Sequence, residues 1–129
     1  MTKCMRVLVA TASTNLQQLI CRLLGRSGYE AEPVASAEAA MEAARNSDFG
    51  AIVTDMHLPD CCGATLVDRL RREGVSIPAI LLVEEETPRV REATHRLSAT
   101  SCLASSDPEQ LKAALNLARR SRLLEDEPA

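Results

Sequence analysis

A single carboxylate, Asp55, closes the apolar run Ala51-Ile-Val-Thr-Asp55, and Pro59 and Gly63 follow it. An aspartate at the carboxyl end of a central strand lies where open α/β sheets bind ligands. The plainer reading is a carboxylate that caps the loop below it. Three other groupings carry reactive residue types. Thr11-Ala-Ser-Thr-Asn15 sets hydroxyls at a helix start, a natural anion site, although ordinary helix capping uses the same residues. Glu84-Glu-Glu86 could meet Asp55 to form a metal site, or could be a solvated loop whose acids suit the helix that follows. Cys61-Cys62 places two thiols just beyond Asp55, with His57 as the imidazole of the same loop.

The elements that must position these groups can be read in order. Val7-Leu-Val-Ala10 is a short apolar run of the buried parallel-strand kind. Ser13, Thr14 and Asn15 are N-cap types, and Leu16, Leu19, Ile20, Leu23 and Leu24 then recur at helical spacing, with Gly25 and Gly28 marking the stop. A second strand is expected over Tyr29 to Val34, and an alanine-rich helix from Ser36 through about Asn46. The third strand is expected over Gly50 to Thr54, leading into Asp55. After the loop Met56 to Cys62, a helix from Gly63 to Arg72 turns Leu66, Val67 and Leu70 inward, and Gly74 ends it. Ile77 to Val83 reads as the fourth strand, with Pro78 tolerated at its start. Pro88 to Leu97 is a helix with proline in its first turn, and Thr100 to Ala104 a short fifth strand. Asp107-Pro-Glu-Gln110 has the start signature of a last helix, with Leu111, Ala114, Leu115 and Ala118 on one face. Strict β-α alternation calls for a parallel sheet with helices on both faces and right-handed crossovers.

Composition narrows the classes. The 129 residues fit one domain, taken as residues 1–124, with an acidic tail over 125–129 that is expected to fray. At 46% hydrophobic and 26% charged, the chain can bury an ordinary core and is expected to be soluble. A net charge of -3 argues against direct nucleic-acid binding. No apolar run reaches membrane-span length, and the run near the start is too short for a signal peptide. The five cysteines, Cys4, Cys21, Cys61, Cys62 and Cys102, contain no C-x-x-C, so zinc and dithiol motifs are absent and a reducing cytoplasm is expected. Cys21 and Cys102 read as small buried hydrophobes. Tyr29 and Phe49 are the only aromatics, which argues against stacking of bases or flavins.

Order, lengths and signals together resemble the receiver domain of bacterial two-component response regulators, from about Met5 to Arg120. The matching stretches are Val7-Leu-Val-Ala, Leu23-Leu-Gly-Arg-Ser-Gly-Tyr29, Ile52-Val-Thr-Asp-Met-His-Leu-Pro-Asp-Cys-Cys-Gly63, Ile77-Pro-Ala-Ile-Leu and Asp107-Pro-Glu-Gln-Leu111. The resemblance implies a flavodoxin-like (βα)5 doubly wound sheet of strand order 2-1-3-4-5. It also implies that Asp55 occupies the position that accepts a phosphoryl group from a histidine kinase. Bringing a carboxylate to a phosphorus ringed by negative oxygens demands positive charge. The family supplies Mg2+ on acidic residues after the first strand, a Lys after the fifth and a Ser or Thr after the fourth.

This sequence departs at each helper. Thr11 and Ala12 stand where the acidic pair belongs, Val83 where the hydroxyl belongs, Glu84 where a small residue is usual, and Ser105 with Ser106 where Lys-Pro belongs. Mg2+ wants hard oxygens, commonly one or two carboxylates with phosphate oxygens; here Asp55 and the main-chain carbonyl of His57 are the remaining metal positions. Losing a charged hydrogen bond costs about 1.5–3 kcal/mol, and the Glu84–Glu86 charges oppose an incoming phosphoryl group.

The expectation is therefore an atypical receiver, not an enzyme. It would act as a signalling interaction module with weak or no Mg2+-dependent phosphorylation and no other cofactor. Expected partners are a sensor histidine kinase or another regulatory protein. The face of the fourth helix, fifth strand and fifth helix, which carries Arg89, Arg91, Arg96, Lys112, Arg119, Arg120 and Arg122, is expected to be a partner surface, open to a homodimer as well as to output contacts. A conventional phosphoacceptor is the first alternative, and a small flavin or thiol redox protein the second.

Overall fold

The structure is a computed structural model that describes residues 5–103 and 110–117. Five short strands, β1 (Arg6–Ala10), β2 (Glu30–Val34), β3 (Ala51–Asp55), β4 (Ala79–Val83) and β5 (Thr100–Leu103), pair in parallel in the order β2-β1-β3-β4-β5. Helices α1 (Thr14–Arg26), α2 (Ala37–Asn46), α3 (Gly63–Arg72) and α4 (Pro88–Leu97) join them, and residues 110–117 form a helical stretch, α5. This is the flavodoxin-like topology that the resemblance implied.

Side chains alternate across the sheet with period two. Leu8, Ile52 and Leu81 join Met41, Leu66, Leu70 and Leu97 in a core beneath α2, α3 and α4. Val7, Val9, Val53, Ile80 and Leu82 join Ile20, Leu24, Leu111 and Leu115 in a second core beneath α1 and α5. The three central strands, β1, β3 and β4, are mainly apolar because both of their faces are covered, whereas β2 at the edge, Glu-Ala-Glu-Pro-Val, is partly exposed.

Local chemistry sets the helix ends. Ser13 Oγ accepts from Leu16 N–H at 3.2 Å, Ser36 Oγ from Ala39 N–H at 3.1 Å and Thr87 Oγ1 from Val90 N–H at 3.1 Å. Such caps contribute about 1 kcal/mol each. Gly28 (φ 86) and Gly74 (φ 85) follow α1 and α3 in the left-handed region that glycine adopts without strain.

Small departures from expectation have physical causes. β4 starts at Ala79, not Ile77: Pro78 has no N–H to give, its carbonyl accepts from Ile52 N–H at 2.9 Å, and the Ile77 carbonyl is held by Arg71 at 2.7 Å. β2 starts at Glu30 because the Tyr29 N–H closes the end of α1 on Leu24 O at 2.9 Å. β3 runs through Asp55 itself. Ile20 and Leu24 are buried, but Leu19 of the same apolar pattern lies outside. Cys21 is half-buried, not fully enclosed as expected. Cys4, Ala104 to Glu109 and everything past Leu117 lie outside the described residues, as do the Cys102 side chain, the Asp107-Pro cap, Arg119, Arg120, Arg122 and the tail.

Candidate functional site

The site is a crevice at the carboxyl ends of β1, β3 and β4. In the β1–β3 register Ala10 stands opposite Thr54, so the next residues, Thr11 and Asp55, lie side by side. Thr11 is 1% exposed, and its Oγ1 donates to Asp55 Oδ2 at 3.3 Å while accepting from Ser13 N–H at 3.1 Å. The His57 N–H donates to the other oxygen, Oδ1, at 3.4 Å. Thr54, fully buried, donates from Oγ1 to the Asp55 carbonyl at 3.0 Å. Across β4, Asp55 is level with Leu82, which leaves buried Val83 as the neighbour one step further out.

The loop after Asp55 is a tight hairpin. Leu58 N–H bonds to Cys61 O at 3.1 Å and Gly63 N–H to Met56 O at 2.8 Å, with His57 bridged to Cys62 between them. Gly63 begins α3 hard against β3, and a Cβ there would collide with the Asp55 carbonyl oxygen. That close approach is the physical reason for the glycine eight residues past the aspartate. Asp60, at the tip, reaches across to α2 and accepts from the N–H groups of Ala37 and Glu38, both at 2.9 Å. Those two N–H groups hold its carboxyl below the usual range.

The remaining expected residues fall as follows. Ala12 and Glu84, Glu85 and Glu86 are exposed. Glu86 accepts from the Ser101 hydroxyl, which ties the β4–α4 loop to β5. Among the described residues no three of His, Cys, Asp and Glu gather as metal ligands, so the glutamates do not join Asp55 in a metal site. Ser105 and Ser106 lie outside the described residues. Cys62 is exposed and Cys61 half-buried; burial first, and Asp60 second, push the Cys61 thiol up, the reverse of an activated nucleophile. Tyr29 and Phe49 are buried at the opposite, amino edge, Tyr29 Oη donating to Asn116 Oδ1 at 2.8 Å and Phe49 beneath the Arg6 guanidinium at 4.6 Å. They cannot stack on a ligand above Asp55.

The fit to Mg2+ can be judged from these donors. The crevice offers the Asp55 carboxylate, the Thr11 hydroxyl and the main-chain carbonyl of His57, and both carboxylate oxygens already accept from protein groups. No buried side-chain polar atom is left without a partner among the described residues. Mg2+ is commonly held by one or two carboxylates with phosphate oxygens; a lone carboxylate whose two oxygens are already engaged by Thr11 and His57 is a poor anchor for it.

Two residues escaped the reading of the sequence. Asp60 has a capping type, but its helix begins 23 residues earlier. Arg71 looks like one more surface arginine; it is half-buried and donates to the carbonyls of Val75 (3.0 Å), Ile77 (2.7 Å) and Leu97 (3.1 Å), locking the end of α3 to the end of α4.

Known proteins agree with this architecture. The sequence pattern of the response regulator receiver domain matches residues 7–116. The chain belongs to this family. It is 29% identical over 104 residues to the sensory/regulatory protein RpfC of Xanthomonas campestris pv. campestris, a match that covers 78% of this chain and 14% of RpfC. It is 32% identical over 77 residues to the transcriptional regulatory protein TcrA of Mycobacterium tuberculosis, covering 60% of this chain and 30% of TcrA. The receiver thus spans well under half the length of these curated relatives. Among solved structures, the chemotaxis response regulator CheY4 of Vibrio cholerae shares the fold, with TM-score 0.83, 24% identity and coverage of 90% of this chain and 99% of that one. A signal receiver domain of an HD domain-containing protein from Pseudomonas fluorescens superposes with TM-score 0.89 at 21% identity, covering 100% and 96%. No described helix is long and apolar enough to cross a membrane.

Proposed function

We propose that this receiver works as a signalling interaction module in the cytoplasm, with weak or no Mg2+-dependent phosphorylation of Asp55 and no enzymatic activity of its own. The observation that carries the reading is the state of Asp55: its two oxygens accept from Thr11 and His57, and its neighbour at the end of β1 is the hydroxyl of Thr11, not a carboxylate. The partner is a sensor histidine kinase or another regulatory protein, and the surface offered is the face of α4, β5 and α5. Arg89, Arg91 and Lys112 are exposed there or near it, and Leu117 is 65% exposed, an apolar residue suited to a protein contact or a homodimer. RpfC and TcrA are sensory and transcriptional regulators by name; a module of this kind inside such a protein would pass its state on by contact.

The test is incubation with acetyl phosphate, or with beryllofluoride, in the presence of Mg2+, followed by intact mass and amide chemical-shift mapping. No adduct and no shift around Asp55 is the expected result. A rapid, stable acyl phosphate would establish the conventional phosphoacceptor instead. That second reading is favoured by one observation: β3, Pro59 and Gly63 still present Asp55 at the mouth of the crevice.

A further inference from the structure

We infer that Thr11 is a positioning residue that holds Asp55 in a cation-independent conformation and couples it to the first turn of α1. The inference rests on the reading of Asp55 proposed above and names what keeps the site in that state. Thr11 is buried at the end of β1, and its single hydroxyl works in two directions. It donates to Asp55 Oδ2, and it accepts from the N–H of Ser13, the residue whose own Oγ caps α1. A hydroxyl has one proton and two lone pairs, so this arrangement uses the donor in one direction only. An acidic residue in the same place would put a second negative charge beside Asp55, which needs a cation between the two. Threonine instead supplies a proton, so the carboxylate is satisfied by the protein alone. The other Asp55 oxygen is held by the His57 N–H. The chain from Ser13 through Thr11 and Asp55 to His57 therefore links the loop after β1 with the loop after β3 through side-chain contacts 44 residues apart in sequence.

Amide hydrogen exchange on the full chain separates this role from simple packing. The Thr11 hydroxyl bonds to Asp55 and Ser13, not to His57, so a change at His57 must travel through Asp55. Thr11→Val, which keeps the shape and removes the hydroxyl, should speed exchange at His57 and Ser13 by about fivefold, the factor expected for one hydrogen bond, while Leu81 in mid-sheet stays unchanged. Thr11→Ser should restore the wild-type rates. In an Asp55→Ala background, Thr11→Val should no longer alter His57. An unchanged His57 rate in Thr11→Val, or an equal change with Asp55 removed, would overturn the assignment. A parallel Mg2+ titration keeps the two claims apart. Shifts at Asp55 and His57 of the unmutated protein at millimolar Mg2+ would sink the proposed function, while the exchange rates still decide Thr11. Silence in the unmutated protein, with Thr11→Asp responding to Mg2+, supports both.

Discussion

Asp55 and Gly63 show how one side chain's chemistry depends on another's absence. The carboxylate can stand at the mouth of the crevice only because α3 starts directly under it, and α3 can start there only because residue 63 has no Cβ. The obstructing atoms are all backbone, the carbonyl of Asp55 and the Cα of Met56, so no rotamer change relieves them. Gly63→Ala is expected to destabilise the fold by about 1–3 kcal/mol, the usual cost of overpacking a tight site, measured by urea unfolding. It should also shift the Asp55 and His57 amide resonances, because the strand end has to move. A loss below 0.5 kcal/mol with unshifted resonances would show that the loop yields freely. The Asp-Pro-Gly spacing made this much legible from the sequence. The hydrogen bond from Thr11 was not legible, because it exists only once β1 and β3 lie in register.

At the scale of elements, the helix starts were legible where the cap is local. Ser13 and Ser36 each sit three residues before the N–H they accept from, so sequence and structure carry the same information; Thr87 caps α4 in the same way, next to the Pro88 that marked its start. Asp60 and Arg71 work over longer spans and were missed for that reason. Asp60 clips the β3–α3 loop to the amino end of α2, where the helix dipole and two free N–H groups favour a carboxylate. Its folded pKa is depressed. The stabilisation is therefore fully present above the unfolded value of about 3.9 and is lost as pH falls through the folded value. The difference in stability between wild type and Asp60→Ala should be constant from neutrality to about pH 4, then shrink at lower pH. Denaturant unfolding in steps from pH 7 to pH 3 checks this, and a gap that stays constant down to pH 3 would rule out the carboxylate as its source.

Across the whole molecule, two cores lie on opposite faces of one sheet, and the strand order places β2 at an edge far in sequence from the last helix. The alternation of elements predicted both faces, since apolar strands need cover on each side. It did not say how the ends of the chain would be tied together. Tyr29 answers this, its ring buried in the core under α1 and α5 and its hydroxyl donating to Asn116, 87 residues away. The sequence pattern makes Tyr29 the opener of the second strand; in the structure it fastens the edge of the sheet to the last helix. Tyr29→Phe keeps the ring and removes only the donor, so it should cost about 1 kcal/mol and leave the packing intact. Because α5 also forms part of the proposed partner surface, the loss should register there first. Exchange at the Leu115 and Asn116 amides should accelerate by about fivefold, with β3 amides unaffected until global unfolding. Equal acceleration in β3 would mean that α5 and the sheet open only together, and that the partner surface has no local freedom of its own.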